Sequence, residues 1–203
     1  MLALLPSALA FRITGAELHE ILGLATVAAF ALHNILNRAW YRSLGRGCYN
    51  ADRSAGTAVV AAIAACAAVC AVSGVALSGF VFGLSDRFGG LGIRAVHTTS
   101  AYWTFVLCGV HVGLRAGFLR FLPKIASAAV FCAGAYFFVS RGMPEKLFAG
   151  ASFDFYEMPF AAYFCQTAAI LFAAAFGARA MRKLLRRRRF FPTQKCGLHG
   201  KPH

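Results

Sequence analysis

The stretch "HEILGLATVAAFALHN" (residues 19–34) opens with a histidine, continues as an apolar run, and closes with a second histidine before its last residue. His19 and His33 lie fourteen positions apart, and the same interval separates His97 from His111 further along the chain. On an α-helix this interval is about 40° short of four turns, so both imidazoles of a pair project from nearly the same face, about 21 Å apart. A bilayer's hydrocarbon core is about 30 Å thick, so one ring of each pair is expected near each membrane surface.

The composition is that of an integral membrane protein. Of 203 residues, 59% are hydrophobic and 14% are charged, and the charged residues form short clusters between apolar runs. The runs lack the alternation of a β-barrel strand, which predicts helices. We expect an all-α integral membrane protein, a bundle of five full transmembrane helices. The predicted helices cover about 17–37, 56–82, 95–115, 124–140 and 157–183.

Residues outside these helices give two further expectations. The apolar residues 1–11 are too few to span a bilayer and are interpreted as a truncated N-terminal helix. A signal-peptide core is the alternative, but no basic segment precedes it and no convincing cleavage site follows. Residues 1–183 are expected to form a single transmembrane domain, and 184–203 a basic, disordered cytoplasmic tail.

The net charge of +14 follows from orientation. If the helices alternate in direction, the segments 38–53, 115–124 and the tail after 178 share one side and carry 16 of the 21 Lys and Arg residues. The positive-inside rule makes that side cytoplasmic, which places the C-terminus in the cytoplasm. Six of the seven acidic residues fall on the other side. We therefore expect membrane lipid, and no nucleic acid, as a partner.

The four histidines within the predicted spans suggest cofactor sites. The first and third helices run in the same direction, so His19 is level with His97, and His33 is level with His111. Two imidazoles at one level can bind a haem iron from both sides, which predicts one outer and one cytoplasmic bis-histidine haem site. No CxxCH motif occurs, so covalent c-type attachment is excluded. Zinc is disfavoured because each level offers only two ligands.

The same residues are also compatible with a protein that binds no haem. The histidines could bond a neighbouring helix or relay protons. Several glycines near the histidines would permit a close porphyrin approach, but they equally suit tight helix packing. These glycines are Gly23, Gly74, Gly79, Gly109 and Gly113.

Three stretches resemble a known family. They are "TGAELHEILGLATVAAFALHNILNRAWYRSLGRGCYN" (residues 14–50), "SGVALSG" (73–79) and "HTTSAYWTFVLCGVHVG" (97–113). With their HE-x-LG, H-x-x-LN and AYW elements, they are similar to the flavinylation-associated cytochrome family of bacterial membrane proteins. The resemblance covers residues 14–117 well and the rest loosely. The chain departs from the family at its start, where members usually carry a full helix before the "TG" element.

The resemblance implies a function and a location. It implies a multi-pass b-type cytochrome of the bacterial cytoplasmic (inner) membrane, an electron-transfer subunit of an oxidoreductase system. Two haems b would be bound by the family ligands, which map onto His19, His33, His97 and His111. Electrons would pass to an extracytoplasmic flavoprotein or other redox partner, and the resemblance leaves open whether quinol binds.

Two alternative functions remain. A membrane reductase could deliver electrons directly to ferric chelates or oxygen, although the chain has no nucleotide-binding G-x-G-x-x-G motif after a strand. A non-redox, histidine-lined proton pathway would give a colourless protein. For a cytochrome, we expect the partner to dock on a mixed-charge rim formed by the outer loops 83–95 and 141–157. The rim residues are Asp86, Arg87, Arg94, Arg141, Glu145, Lys146, Asp154 and Glu157.

Overall fold

The computed structural model describes residues 2–47, 49–148 and 158–187, and within these ranges the chain is helical and contains no strand. The prediction of an all-α protein is therefore confirmed. The helices are α1 (Leu4–Ala8), α2 (Phe11–Leu36), α3 (Arg38–Ser43), α4 (Ala51–Leu77), α5 (Ser85–Phe88), α6 (Leu91–Arg115), α7 (Lys124–Ser140), α8 (Met143–Phe148) and α9 (Phe160–Arg187), with a 3₁₀ turn at Gly117–Arg120.

Three of these helices are long and apolar enough to cross a membrane: Phe11–Leu36, Ala51–Leu77 and Phe160–Leu184. They indicate a multi-pass membrane protein. The other two predicted spans correspond to α6 and α7. Helix α7 has only 17 residues, and α6 carries two histidines and several hydroxyl side chains that lower its hydropathy.

The observed helix ends differ from the predicted ones for local reasons. Helix α4 begins at Ala51 because the side chain of Asn50 accepts a hydrogen bond from the Arg53 amide at 2.8 Å, which caps the first turn. The prediction that this helix continues to 82 is wrong, since α4 ends at Leu77. Helix α9 extends to Arg187, into the predicted tail, and the remaining tail residues lie outside the described ranges.

Helix α6 is the centre of the bundle, and packs against α4 and α9, while α7 packs against the far side of α9. Phe105 of α6 and Ile170 and Leu171 of α9 are at most 2% exposed. The two helices approach closely because α6 lacks side chains at Gly109 and Gly113. A Cβ atom at Gly109 would lie 2.6 Å from the Leu171 carbonyl oxygen.

Helix α2 lies at the edge of this core, against which its partly buried Phe30 packs. None of its residues is buried, and its helix neighbours are mainly α1, α3 and α4. Gly15, with φ of +78°, breaks the helix near its start. Before this break the chain folds back so that Leu5 and Ala10 are buried, and the Tyr163 hydroxyl donates a hydrogen bond to the Leu9 carbonyl at 2.8 Å.

At the other end of the bundle, one arginine joins α4, α6 and α9. Nε of Arg182 lies 3.1 Å from Oδ1 of Asp52, and Nη1 donates to the Leu114 carbonyl at 2.7 Å. A single α9 side chain therefore contacts the first turn of α4 and the last turn of α6.

Candidate functional site

Helices α2 and α6 bring His19 and His97 together. Their ring centroids are 6.1 Å apart and the ring planes are inclined by 79°. We call this depth of the bundle the upper level, and the depth of His33 and His111 the lower level.

A backbone carbonyl orients the His19 ring. Its Nδ1 atom lies 2.8 Å from the carbonyl oxygen of Ala8, in the folded-back N-terminal segment. A carbonyl oxygen can only accept, so Nδ1 carries the proton and donates it, which leaves Nε2 with a free lone pair. Phe11 packs edge-on against the same ring, with centroids 5.1 Å apart.

The His97 ring is oriented in the same way by α4. Its Nδ1 atom lies 3.0 Å from the carbonyl oxygen of Cys70 and 3.3 Å from Oγ of Ser73. The Ser73 hydroxyl also lies 2.7 Å from the Val69 carbonyl, to which it can donate. The ring reaches α4 beside Gly74, where a Cβ atom would stand 3.0 Å from the His97 Cε1 atom. Nε2 of His97 is thus the nitrogen left with a lone pair.

This arrangement is typical of histidines that bind a metal. Such histidines usually donate their second ring nitrogen to a carbonyl or carboxylate, which fixes the tautomer. Two metal–imidazole bonds of about 2.0–2.1 Å, with about 1.1 Å inside each ring, span about 6.3 Å between ring centres. The observed 6.1 Å matches that span.

The upper level offers two protein ligands and no third. Within residues 2–47, 49–148 and 158–187, no three His, Cys, Asp or Glu side chains converge as a metal site would require. A structural zinc site takes four protein ligands. Haem iron needs only two axial ligands, because the porphyrin nitrogens occupy its other positions. The donor set therefore fits haem better than a bare metal ion.

The lower level is less constrained. His33 is exposed and His111 half-buried, and in the part of the chain that the structure describes, neither ring makes a hydrogen bond or a contact with the other ring. The last two histidines, His199 and His203, lie outside the described residues.

The sequence reasoning missed the role of Glu20, which it counted only as a charge. The Glu20 carboxylate accepts hydrogen bonds from the Ser78 hydroxyl at 2.6 Å and from the amides of Gly79, Phe80 and Val81 at 2.9, 3.1 and 2.9 Å. A carboxylate beside an apolar run needs such donors. The serine and glycine that end "SGVALSG" were the available signal.

The structure distinguishes the two roles that the sequence left open for the glycines, which are close approach to the histidines and tight helix packing. Gly74 lies against the His97 ring, whereas Gly109 and Gly113 permit the close packing of α6 on α9. Gly79 lies beside Ser85, and a Cβ atom at Gly23 would meet nothing within 4 Å. Close approach to the histidine site is thus a property of Gly74, and tight helix packing explains the α6 pair.

The predicted docking rim is partly wrong. Arg141 and Lys146 are only 5% and 2% exposed, so they are not available to a partner. The Arg141 guanidinium lies 4.1 Å from the centre of the Tyr163 ring, and Nζ of Lys146 lies 5.3 Å from that of Tyr102. Both cations were expected at the surface because they follow an apolar helix, but α8 folds back against α6. Asp86, Arg87, Arg94 and Glu145 are exposed, and Asp154 and Glu157 lie outside the described residues.

Comparison with known proteins identified no relative. No protein-family model, curated protein or solved structure matches this chain. Its function has therefore to be inferred from its own side chains.

Proposed function

We propose that the chain is a di-haem b-type cytochrome that moves electrons across the bacterial cytoplasmic membrane. The observation that carries this proposal is the upper histidine pair. His19 and His97 are 6.1 Å apart between ring centres, and each places Nδ1 on a backbone carbonyl. This leaves Nε2 of both rings as the atoms that would bind a haem iron.

Each group around the upper pair has a defined task. When bound, haem supplies reversible one-electron chemistry at its iron. The carbonyls of Ala8 and Cys70 hold the two rings in the ligating tautomer, and they increase the basicity of the ligating nitrogens. Gly74 gives the His97 ring access to its carbonyl partner.

The lower pair supplies the second site in this proposal. His33 and His111 each lie fourteen residues from their upper counterpart on the same helix. The two levels are therefore about 21 Å apart along the helix axes. An electron would cross the bilayer by one internal transfer between levels, with entry and exit at the two surfaces.

Topology and partners complete the proposal. We infer that α6 and α7 cross the membrane along with the three longer apolar helices, which makes five spans. The basic residues at the ends of α6 and α9 support a cytoplasmic position for the lower level. The resemblance to flavinylation-associated cytochromes supports an extracytoplasmic flavoprotein as the electron acceptor.

Difference spectra of single-histidine variants test the function. Dithionite-reduced minus air-oxidised spectra of the purified protein should show two b-type components. His19→Ala and His97→Ala should remove the same component, while His33→Ala and His111→Ala should remove the other. A colourless wild-type protein would favour the proton pathway instead. If His19→Ala and His111→Ala removed the same component, the assignment of pairs to levels would be wrong.

A further inference from the structure

We propose that Glu20 is the positioning residue of the upper histidine pair, because its carboxylate fixes α2 to the loop after α4 and so sets His19 opposite His97. The proposal deepens the proposed function and rests on it for the role of haem. The contacts of Glu20 themselves are independent of haem.

The first step is that apolar packing holds α2 only weakly. No residue of α2 is fully buried, its contact with the core includes the partly buried side chain of Phe30, and large side chains such as Leu32, Ile35 and Leu36 are more than half exposed. A helix whose face is not buried in the core can slide or rotate with little loss of contact. Specific polar contacts are therefore expected to contribute strongly to the position of His19.

The second step is that Glu20 makes most of these contacts. Four donors converge on its carboxylate: the Ser78 hydroxyl and three successive amides, Gly79 to Val81. Hydrogen bonds to an ionised acceptor are shorter and stronger than neutral ones. Three amides that point at one anion form a concave backbone nest. The loop after α4 is therefore shaped to hold a carboxylate.

The third step is that the loop is itself rigid. The Ser78 hydroxyl oxygen accepts a hydrogen bond from the Phe82 amide at 3.1 Å, in addition to its contact with Glu20. The Ser78 carbonyl accepts from the amides of Leu84 at 2.8 Å and Ser85 at 3.0 Å. Gly83, with φ of +62°, allows the chain to turn back. These bonds hold the three amides in place independently of Glu20.

The fourth step links both histidines to one segment of α4. The His97 ring is held by the Cys70 carbonyl and the Ser73 hydroxyl, and the loop that holds Glu20 begins at Ser78. Glu20 directly follows His19 in the same helical turn. Residues 70–81 therefore fix His97 directly and His19 through Glu20, so this segment determines the separation of the two rings.

The test compares Glu20→Gln with the control Glu17→Gln. Glu17 is exposed on the same helix. In Glu20→Gln, an NH₂ group that replaces one carboxylate oxygen would face the donors that this oxygen now accepts from. Ser78→Ala removes one of the four contacts and leaves the carboxylate in place, so a smaller effect in the same direction is expected.

The first readout is amide hydrogen exchange of the full-length protein. In Glu20→Gln the amides of residues 79–81 should exchange about tenfold faster or more, because a hydrogen bond to a charged acceptor is lost. Glu17→Gln should leave them unchanged. Unchanged exchange in Glu20→Gln would overturn the proposed anchor.

The second readout is crosslinking in haem-free protein. In a background whose native cysteines are replaced by alanine, a short bis-methanethiosulfonate should join the thiols of the His19→Cys/His97→Cys double variant, and Glu20→Gln should lower the yield several-fold. An unchanged yield would overturn the positioning role. In haem-loaded protein, Glu20→Gln should remove the upper component and spare the lower one. Retention of both components would also overturn it. Wild-type protein without haem would refute the proposed function, while exchange and crosslinking would still decide the role of Glu20.

Discussion

Nδ1 of His97 lies 3.0 Å from the carbonyl oxygen of Cys70, so an α6 side chain is bound by the backbone of α4. The ring can reach this carbonyl because residue 74, one helical turn further along α4, is a glycine. Helix α4 thus orients a histidine of α6 through its backbone, without a charged side chain.

Gly74→Ala should weaken the upper site selectively. The new Cβ would stand 3.0 Å from Cε1 of His97 and displace the ring from its carbonyl partner. Loss of such a partner typically costs about 10–100-fold in metal affinity. Haem titration of the variant should show a weakened upper site beside an unchanged lower one. An upper-site affinity that is unchanged from the wild type would show that the Cys70 contact is dispensable.

Gly113→Ala should act on the whole bundle. A Cβ atom at Gly113 would overlap the carbonyl oxygen of Ala175, so α6 would be pushed away from α9. Overpacking of this kind costs about 1–3 kcal/mol in the free energy of unfolding. Thermal unfolding in detergent measures the loss, with Gly92→Ala on the same helix as the control, because a Cβ there meets nothing within 4 Å. If Gly113→Ala kept the Tm of the wild type and weakened only the upper histidine site, the packing role would be contradicted.

Tyr163→Phe should loosen the N-terminal segment. The substitution removes the hydroxyl that donates to the Leu9 carbonyl, next to the Ala8 carbonyl that holds His19. The expected cost is about 1 kcal/mol in the free energy of unfolding, equivalent to about 2–4 °C in Tm. Hydrogen exchange should show faster exchange for residues 4–10 than in the wild type. Unchanged protection there would mean that the apolar contacts of Leu5 suffice.

Arg182→Lys should separate charge from geometry at the lower end of the bundle. Lysine keeps the positive charge but cannot contact both Asp52 and the Leu114 carbonyl as the guanidinium does. We expect a loss of about 1 kcal/mol in the free energy of unfolding, and a larger loss for Arg182→Ala. Equal stability of the lysine variant and the wild type would show that charge alone matters there.

The pattern of apolar runs and the spacing of histidines predicted the long helices and the level of the upper histidine pair. The run 124–140 agrees with α7 because Pro123 and Arg141 bound it at both ends. The fourteen-residue interval placed both histidines of a helix on one face, and the parallel direction of the first and third predicted helices placed His19 level with His97. The 6.1 Å between the centroids of those two rings agrees with that prediction.

Contacts between distant residues were beyond such reasoning. The end of α4 at Leu77 depends on a loop whose amides bind Glu20, nearly sixty positions earlier. The partners of the two imidazoles are backbone carbonyls, which every residue has, so composition cannot single them out. The fold-back of residues 4–10 depends on Tyr163, far away in the sequence.

The most direct test of the central claim is a pyridine haemochrome assay with protein quantitation, applied to the wild type and to His19→Ala. The assay counts haem b per chain without any assumption about partners. The histidine pairs predict about two haems in the wild type and about one in the variant. A wild-type value of zero, or an unchanged value in His19→Ala, would contradict the assignment of His19 and His97 as a haem-binding pair.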